Sequence, residues 1–271
     1  LARFYTKILI NPKKILIIVQ RSNGDVFMAS SLIKNLYKQY QSPKIDLLVN
    51  DDTIAVAKML PFIDCIYTFS YQKKRNQRWK QEKEIIKSIY RKYDLSINLT
   101  ASDRSVVYAL LASKKSISAI EKSHQKSWWK RKLLSHYYFF DTTKHILINN
   151  LESLKLLKIK HKTIQQSPEL SNATVVRIKN KLEKMGVKRF IIFHPSTQYN
   201  YKIYPQNLRD KLLSYLNSLN IPILITGSGN KIDLNIKKTI PVLPNIYNFI
   251  GKTTLEEYFV LSELSLAYIG M

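Results

Sequence analysis

Three short polar segments carry the residue types that chemistry at an alcohol or a phosphate would need. The first, Arg21-Ser22-Asn23-Gly24-Asp25, lies directly behind the apolar run Ile15 to Val19. A carboxylate just past a buried strand faces the region where open α/β sheets bind ligands, and there it can take a proton from a hydroxyl nucleophile. The same Asp25 also reads as an ordinary helix cap. The second segment, His194-Pro195-Ser196-Thr197, follows another apolar run and precedes Lys202 in a polar loop. Hydroxyls and an ammonium so placed can grip a diphosphate as charge builds on a leaving group, or simply form a solvated loop. The third, Thr226-Gly227-Ser228-Gly229-Asn230, can cradle an anion with its backbone amides.

Several reaction classes fall away. The turn at 22–25 lacks the repeated glycines of a dinucleotide fingerprint, and the glycine turn at 227–229 lacks the lysine and hydroxyl that end a P-loop. There is no Gly-x-Ser-x-Gly nucleophile elbow, which removes the main hydrolase readings. His194 has neither an H-E-x-x-H motif nor a second histidine at helical spacing, so no metal site is read. The single cysteine, Cys65, cannot form an intramolecular disulfide; it reads as a small buried hydrophobe in a reducing compartment.

The elements that must position these segments alternate strand and helix. Ile15 to Val19 reads as a strand covered on both faces, followed by a helix from Val26 to Tyr40. Ile45 to Val49 is a second strand, Asn50 to Thr53 a cap, and Ile54 to Leu60 a helix. A charged helix over 71–92, a strand at Asp94 to Leu99 and a helix over 101–112 continue the pattern. Periodicity fails between Lys160 and Ser171, which places a boundary between lobes 1–165 and 166–271. Beyond it come a helix from Val175 to Met185, a strand at Phe190 to Phe193, a helix from Pro205 to Leu219 and a strand at Pro222 to Thr226. A helix from Thr254 to Leu264 and a strand at Leu266 to Ile269 close the chain. This is an α/β protein of two Rossmann-like lobes that would frame a cleft, the second lobe ending at Met271 at the carboxyl end of a strand and therefore reading as truncated.

With 271 residues, 45% of them hydrophobic, the chain has material for two cores. No apolar stretch reaches the 18 or so residues of a membrane span, so any membrane contact is expected to be peripheral. Its 44 Lys and Arg against 19 Asp and Glu give a net charge of +25, which favours a polyanionic neighbour or reflects a lysine-rich solvated surface. The excess is densest at 114–132, where Lys114, Lys115, Lys122, Lys126, Lys130, Arg131 and Lys132 meet the single acid Glu121. Trp128, Trp129 and the run Tyr137 to Phe140 interleave with or follow them. Nucleic-acid binding would rest on charge alone, since no recognition helix is identifiable.

The stretch ILIIVQRSNGDVFMASSLIKNLYKQYQSPKIDLLV resembles the start of the lipopolysaccharide heptosyltransferase family, inverting glycosyltransferases (family 9) of GT-B architecture that use ADP-heptose. FIIFHPSTQYNYKIYP, ILITGS, FIGKTTLEE and LSLAYIGM resemble its later blocks, in the same order, so the likeness spans residues 15–271. It implies that the first lobe binds an acceptor and the second a nucleotide sugar. Asp25 then matches the family's general base, and Lys202 the lysine that stabilises the departing diphosphate. Ser196 and Thr197 fall where the family contacts phosphate, Ser196 replacing a usual glycine. Gly227, Gly251 and Glu256 or Glu257 fall in blocks shaping the nucleotide pocket. Asn98, Ser102, Arg104 and Ser105 fall in the acceptor region, and the basic stretch beyond them could meet phosphorylated sugar or lipid head groups.

The resemblance therefore implies heptose transfer from ADP-heptose to a hydroxyl of the lipopolysaccharide core, without a metal or other cofactor. It implies a cytoplasmic protein acting at the inner face of the inner membrane. A related transferase using another nucleotide sugar, and an inactive basic protein binding anionic glycan or lipid, remain alternatives. The family's Asp-Ser-Gly segment and its histidine do not follow the last block here.

Overall fold

The computed structural model describes residues 11–160, 168–197 and 200–270. Its contacts divide the chain into a first unit ending at Glu169 and a second beginning at Leu170. The boundary expected between 165 and 166 lies outside the described residues, as does Met271.

The first unit is a parallel sheet of β1 (Lys14–Val19), β2 (Lys44–Asn50), β3 (Cys65–Phe69), β4 (Leu95–Asn98), β5 (Ser116–Ile120) and β6 (His136–Phe139). Their order is β3-β2-β1-β4-β5-β6, so the direction of winding reverses between β1 and β4. Between the strands run α1 (Asn23–Phe27), α2 (Ser30–Gln39), α3 (Ile54–Ala57), α4 (Tyr71–Asn76), α5 (Arg78–Ile89), α6 (Asp103–Ala112) and α7 (His124–Leu133), and α8 (Ile146–Leu156) follows β6. Leu16, Ile18 and Leu48 point into a core closed by Ile85, Ile89 and Tyr108 from α5 and α6. Strands β1 beyond Lys14, β4 and β5 are buried on both faces; β1 reads accordingly as an unbroken apolar run, while β4 and β5 carry Ser96, Asn98, Ser116 and Ser118 among their apolar residues.

The structure departs from the sequence reading in four places. The helix expected from Val26 to Tyr40 is two helices, with Ala29 N–H bonding to Val26 O and Ser30 Oγ donating to Phe27 O at 2.7 Å across the break. The helix expected over 71–92 breaks at Gln77, where φ is −140°. That break lets Gln81 clasp Ser70, accepting from its N–H at 2.7 Å and donating to its carbonyl at 3.1 Å. The basic stretch 114–132 contains a fully buried strand, β5, between its lysines. Cys65, expected to be buried, is exposed because it opens β3, the edge strand of the sheet.

The second unit has a parallel sheet of β7 (Ile191–His194), β8 (Ile223–Ile225), β9 (Ile246–Asn248) and β10 (Ala267–Gly270), in the order β10-β7-β8-β9. Its helices are α9 (Asn172–Lys184), α10 (Gln206–Ser218), α11 (Lys231–Lys238) and α12 (Leu255–Leu264). The alternation of side chains along a strand puts cores on both faces. Ile192 and Leu224 pack with Ile178 and Leu182 of α9 and Val260 and Leu261 of α12. Phe193 and Ile225 pack with Leu213 of α10 and Ile236 of α11. Among the described residues no helix is long and apolar enough to cross a membrane.

Candidate active site

In the first unit the reversal between β1 and β4 marks where an open α/β sheet presents a ligand crevice, at the carboxyl ends of its strands. The chain leaves β1 through Gln20 and Arg21 into Asp25, and leaves β4 through Thr100 into Ser102 and Arg104. Gln20 N–H donates to Thr100 Oγ1 at 2.9 Å, which ties the two exits together. Asp25 and the acceptor-side residues named from sequence are thus brought to one edge of one sheet.

Asp25 is the third residue of α1. Its Oδ2 accepts from Arg21 Nε at 3.1 Å, from Ser22 N at 3.3 Å and from Ser22 Oγ at 2.9 Å. All three contacts reach the same oxygen, so the carboxylate is oriented by one oxygen while Oδ1 stands outside that set. Gly24, next to it, has open space where a Cβ would be, so the turn is not crowded.

The four acceptor-side residues divide into two kinds. Asn98 and Ser105 have no exposed surface. Asn98 Nδ2 donates to Thr100 O at 2.7 Å, Ser118 Oγ at 2.8 Å and Ser105 Oγ at 3.1 Å, and its Oδ1 accepts from Thr100 N at 3.1 Å. These two side chains position the exit of β4 rather than facing a ligand. Ser102 caps α6 by accepting from Ser105 N. Arg104 lies with its guanidinium carbon 3.6 Å from the centre of the Phe69 ring, and its Nη2 donates to Tyr71 Oη at 3.2 Å. The ring and the hydroxyl fix the guanidinium plane, which is what presenting it to a planar or tetrahedral anion requires.

A residue the sequence did not single out is Gln20. It is 5% exposed, and neither its Oε1 nor its Nε2 has a partner; Asn50 Oδ1, at the adjoining exit of β2, has none either. Unpaired buried amides are costly and cluster where function demands them. Nothing in the local sequence distinguishes Gln20 from a strand-end glutamine in water.

In the second unit β7 ends at His194. Its Nδ1 lies 3.1 Å from Thr226 Oγ1 and its Nε2 3.3 Å from Ser196 Oγ, so one imidazole joins the loops after β7 and β8. Burial pushes the ring below its ordinary pKa, against the opposing pull of the Asp233 charge, so it is neutral at pH 7, one nitrogen donating and the other accepting. From sequence His194 is a candidate metal ligand without partners; its use as a brace depends on a hydroxyl 32 residues away.

Gly227 cannot carry a side chain without displacing a neighbour, because a Cβ would stand 3.2 Å from Ile250 Cγ1 and 3.3 Å from Asp233 Oδ2. Gly251 adopts φ +69° and donates its N–H to Gly227 O at 3.0 Å, zipping the two glycine turns together. Asp233 Oδ2 accepts from Ser228 N and from Asn230 Nδ2, while its Oδ1 is buried and unpaired. The amide of Ser228 is therefore satisfied from within the protein. Ser196 is 5% exposed, Thr197 follows it, and Lys202 is exposed at the end of a short turn, its Nζ 5.7 Å from the Tyr201 ring centre. Glu256 accepts from Ser171 N at 2.8 Å and Thr174 Oγ1 at 3.1 Å, contacts that hold its carboxyl below the usual range. Glu257 accepts from Thr254 N at 2.8 Å and pairs with Arg177 at 3.1 Å. Glu256 therefore ties α12 to the start of α9, and Glu257 both caps α12 and reaches Arg177 of α9.

The arrangement supplies an oriented carboxylate and guanidinium on one sheet edge, and on the other unit two glycine turns, two hydroxyls and a lysine. The family model for glycosyltransferase family 9 (heptosyltransferase) matches residues 83–269. Lipopolysaccharide heptosyltransferase 3 of Escherichia coli is 24% identical over 258 residues, 93% of this chain and 75% of that protein. In fold, the chain is similar to the family 9 glycosyl transferase of Veillonella parvula, with a TM-score of 0.81 at 16% identity over 95% of this chain and 74% of that one. It is also similar to E. coli heptosyltransferase WaaC with ADP-2-deoxy-2-fluoro heptose, with a TM-score of 0.75 at 14% identity over 95% of this chain and 82% of that one. The two Rossmann-like units are those of the GT-B architecture. With the model matching more than half its length, the chain belongs to glycosyltransferase family 9, the heptosyltransferase family.

Proposed function

We propose that the protein transfers a heptosyl group from ADP-heptose to a hydroxyl of the lipopolysaccharide core, with inversion at the anomeric carbon. The acceptor binds the first unit and the donor the second. Asp25 accepts the proton of the acceptor hydroxyl as its oxygen bonds to the anomeric carbon. The bond from that carbon to the β-phosphate oxygen breaks on the opposite face, and ADP departs with the electron pair. Lys202, Ser196 and Thr197 receive the charge that develops on the diphosphate. Ser102 and Arg104 meet the acceptor, positioned by Asn98 and Ser105 behind them. Gly227 and Gly251 keep the nucleotide turns close to the ligand, and Glu256 holds α12 at the rim of that pocket. The chemistry needs a base on one reactant and positive charge on the other, and no metal enters it. We place the reaction at the cytoplasmic face of the inner membrane, where a lipid-linked core precursor would be met.

The observation that carries this reading is Asp25 at the switch point of the first sheet, held by Arg21 and Ser22 through one oxygen. The test is mass spectrometry of a defined core acceptor incubated with protein and ADP-heptose, beside GDP- and UDP-sugar controls. A heptose increment with ADP-heptose alone, abolished by Lys202→Ala, is expected. An increment with another nucleotide sugar instead would move the donor assignment, and none with any donor would remove the enzymatic reading.

A further inference from the structure

Resting on the reading that the first unit binds the acceptor, we infer that Gln20 and Asn50, at the carboxyl edge of its sheet, read a neighbouring pair of hydroxyls on the acceptor sugar. The two amides thereby set which acceptor the protein takes.

Strand register sets the two amides side by side. Val19 of β1 pairs with Val49 of β2, so Gln20 and Asn50 stand opposite one another one residue further on. Asn50 in turn pairs with Phe69 of β3. Side chains two residues apart on a strand share a face, and Ile18, Leu48 and Phe69 meet in one core, so Gln20 and Asn50 continue that face to the carboxyl edge. With neighbouring strands about 4.8 Å apart, the row from Gln20 to Phe69 is about 10 Å wide, room for one sugar ring. The Arg104 guanidinium lies at its far end, 3.6 Å from the Phe69 ring centre.

The unpaired atoms describe the ligand. Gln20 and Asn50 are 5% and 6% exposed. Asn50 Nδ2 donates to Arg21 O at 3.3 Å, and because a carbonyl only accepts, that bond fixes which end of the amide is nitrogen. Asn50 Oδ1 and both ends of the Gln20 amide have no partner among the described residues. Together they call for hydrogens at two oxygens and offer one NH2 group. Adjacent hydroxyls meet that demand: one donates to Asn50 Oδ1 and accepts from Gln20 Nε2, and its neighbour donates to Gln20 Oε1. A phosphate dianion has no hydrogen to give, so anionic substituents fall to Arg104. The Gln20 amide breaks no bond within the protein when it turns towards the ligand, and pairing on binding relieves the penalty of buried, unsatisfied polar groups. Arg21, whose carbonyl Asn50 holds, reaches Asp25 Oδ2 with its side chain at 3.1 Å, so one residue links the hydroxyl-reading pair to the base.

The test is calorimetric titration of the full chain, without donor, with a defined core oligosaccharide and with analogues each lacking one hydroxyl. Wild type is expected to bind the parent and to lose about tenfold or more in affinity for the analogue lacking either hydroxyl of the pair. Gln20→Met keeps the side-chain length and gives up the amide, so affinity for the parent falls by about tenfold or more. For those same analogues the variant loses no more than about twofold further, because the bond is already gone. Its melting temperature by circular dichroism stays at or above that of wild type, since a buried unpaired amide has been removed. The analogue series on wild type needs no variant to fold. If this pattern appears while ADP-heptose yields no transfer, the transferase reading fails and the hydroxyl-reading pair stands. If heptose is transferred but Gln20→Met leaves both the Kd and the KM for the acceptor within about twofold, the pair is wrong and the transferase reading stands. No binding of the parent, no analogue that wild type discriminates, or losses from variant and analogue that simply add would each overturn the pair.

Discussion

Asp25 does two jobs, and two substitutions separate them. Its Oδ2 closes the start of α1 through Ser22 and pairs with Arg21. Asparagine can keep an oxygen facing Ser22 but gives up the charge, and alanine gives up both. The ion pair is partly exposed, with side chains 32% and 19% accessible, so it contributes about 0–1 kcal/mol. The cap contributes about 1 kcal/mol. Asp25→Asn should therefore cost up to about 1 kcal/mol of stability and Asp25→Ala about 1–2 kcal/mol, small against a typical total of about 5–15 kcal/mol. Both variants lose the base, so turnover should fall in both by about 10²–10⁴-fold. Urea unfolding gives the first quantity, and initial rates of heptosyl transfer at saturating substrates give the second. If Asp25→Asn kept more than about a third of wild-type turnover while Asp25→Ala lost activity in step with its stability, Asp25 would be a cap and nothing more.

Lys130 provides an asymmetric test of a buried charge. Replacing both Asp103 and Glu121 by their amides strands an ammonium with no exposed surface and should cost about 3–5 kcal/mol in urea unfolding. Lys130→Met leaves two solvent-reachable carboxylates and should cost markedly less. Gly251→Ala, in ordinary space but at φ +69°, should destabilise by about 1–2 kcal/mol. Gly227→Ala, whose conflict is with Ile250 and Asp233, should cost about 1–3 kcal/mol and should also raise the KM for the donor. At His194 the folded ring takes its proton at lower pH than the unfolded chain does. Its contribution to stability is therefore complete above the unfolded value of about 6.5 and is lost as pH falls below it. His194→Asn should flatten that acid limb when urea midpoints at pH 8 and pH 5.5 are compared.

The strands that precede the polar segments were legible because a buried parallel strand is an unbroken apolar run, as in Ile15 to Val19 and Ile45 to Val49. β5 escaped notice because Ser116 and Ser118 interrupt its apolar pattern and lysines precede it. Its buried serine hydroxyls accept hydrogen bonds from Asn98 Nδ2 and Ser135 N–H, partners that no local window contains. The split at Gln77 depends likewise on Gln81 finding Ser70 across a turn. Asp25 could be placed at the carboxyl edge from the alternation of elements, whereas Ser102 and Arg104 were reached only through the family resemblance. The packing roles of Asn98 and Ser105, and the bracing role of His194, could not be read, because burial is a property of the neighbours rather than of the residue.

The contacts of Glu256 and Glu257 have a topological consequence. These carboxylates tie α12 to Ser171 and to Thr174 and Arg177 of α9. Two helices far apart in the sequence are thus held together, and opening that begins at either must break contacts of the other. Local opening of this unit must then release both helices together, so their amides should share one exchange rate rather than grade from one end of the unit to the other.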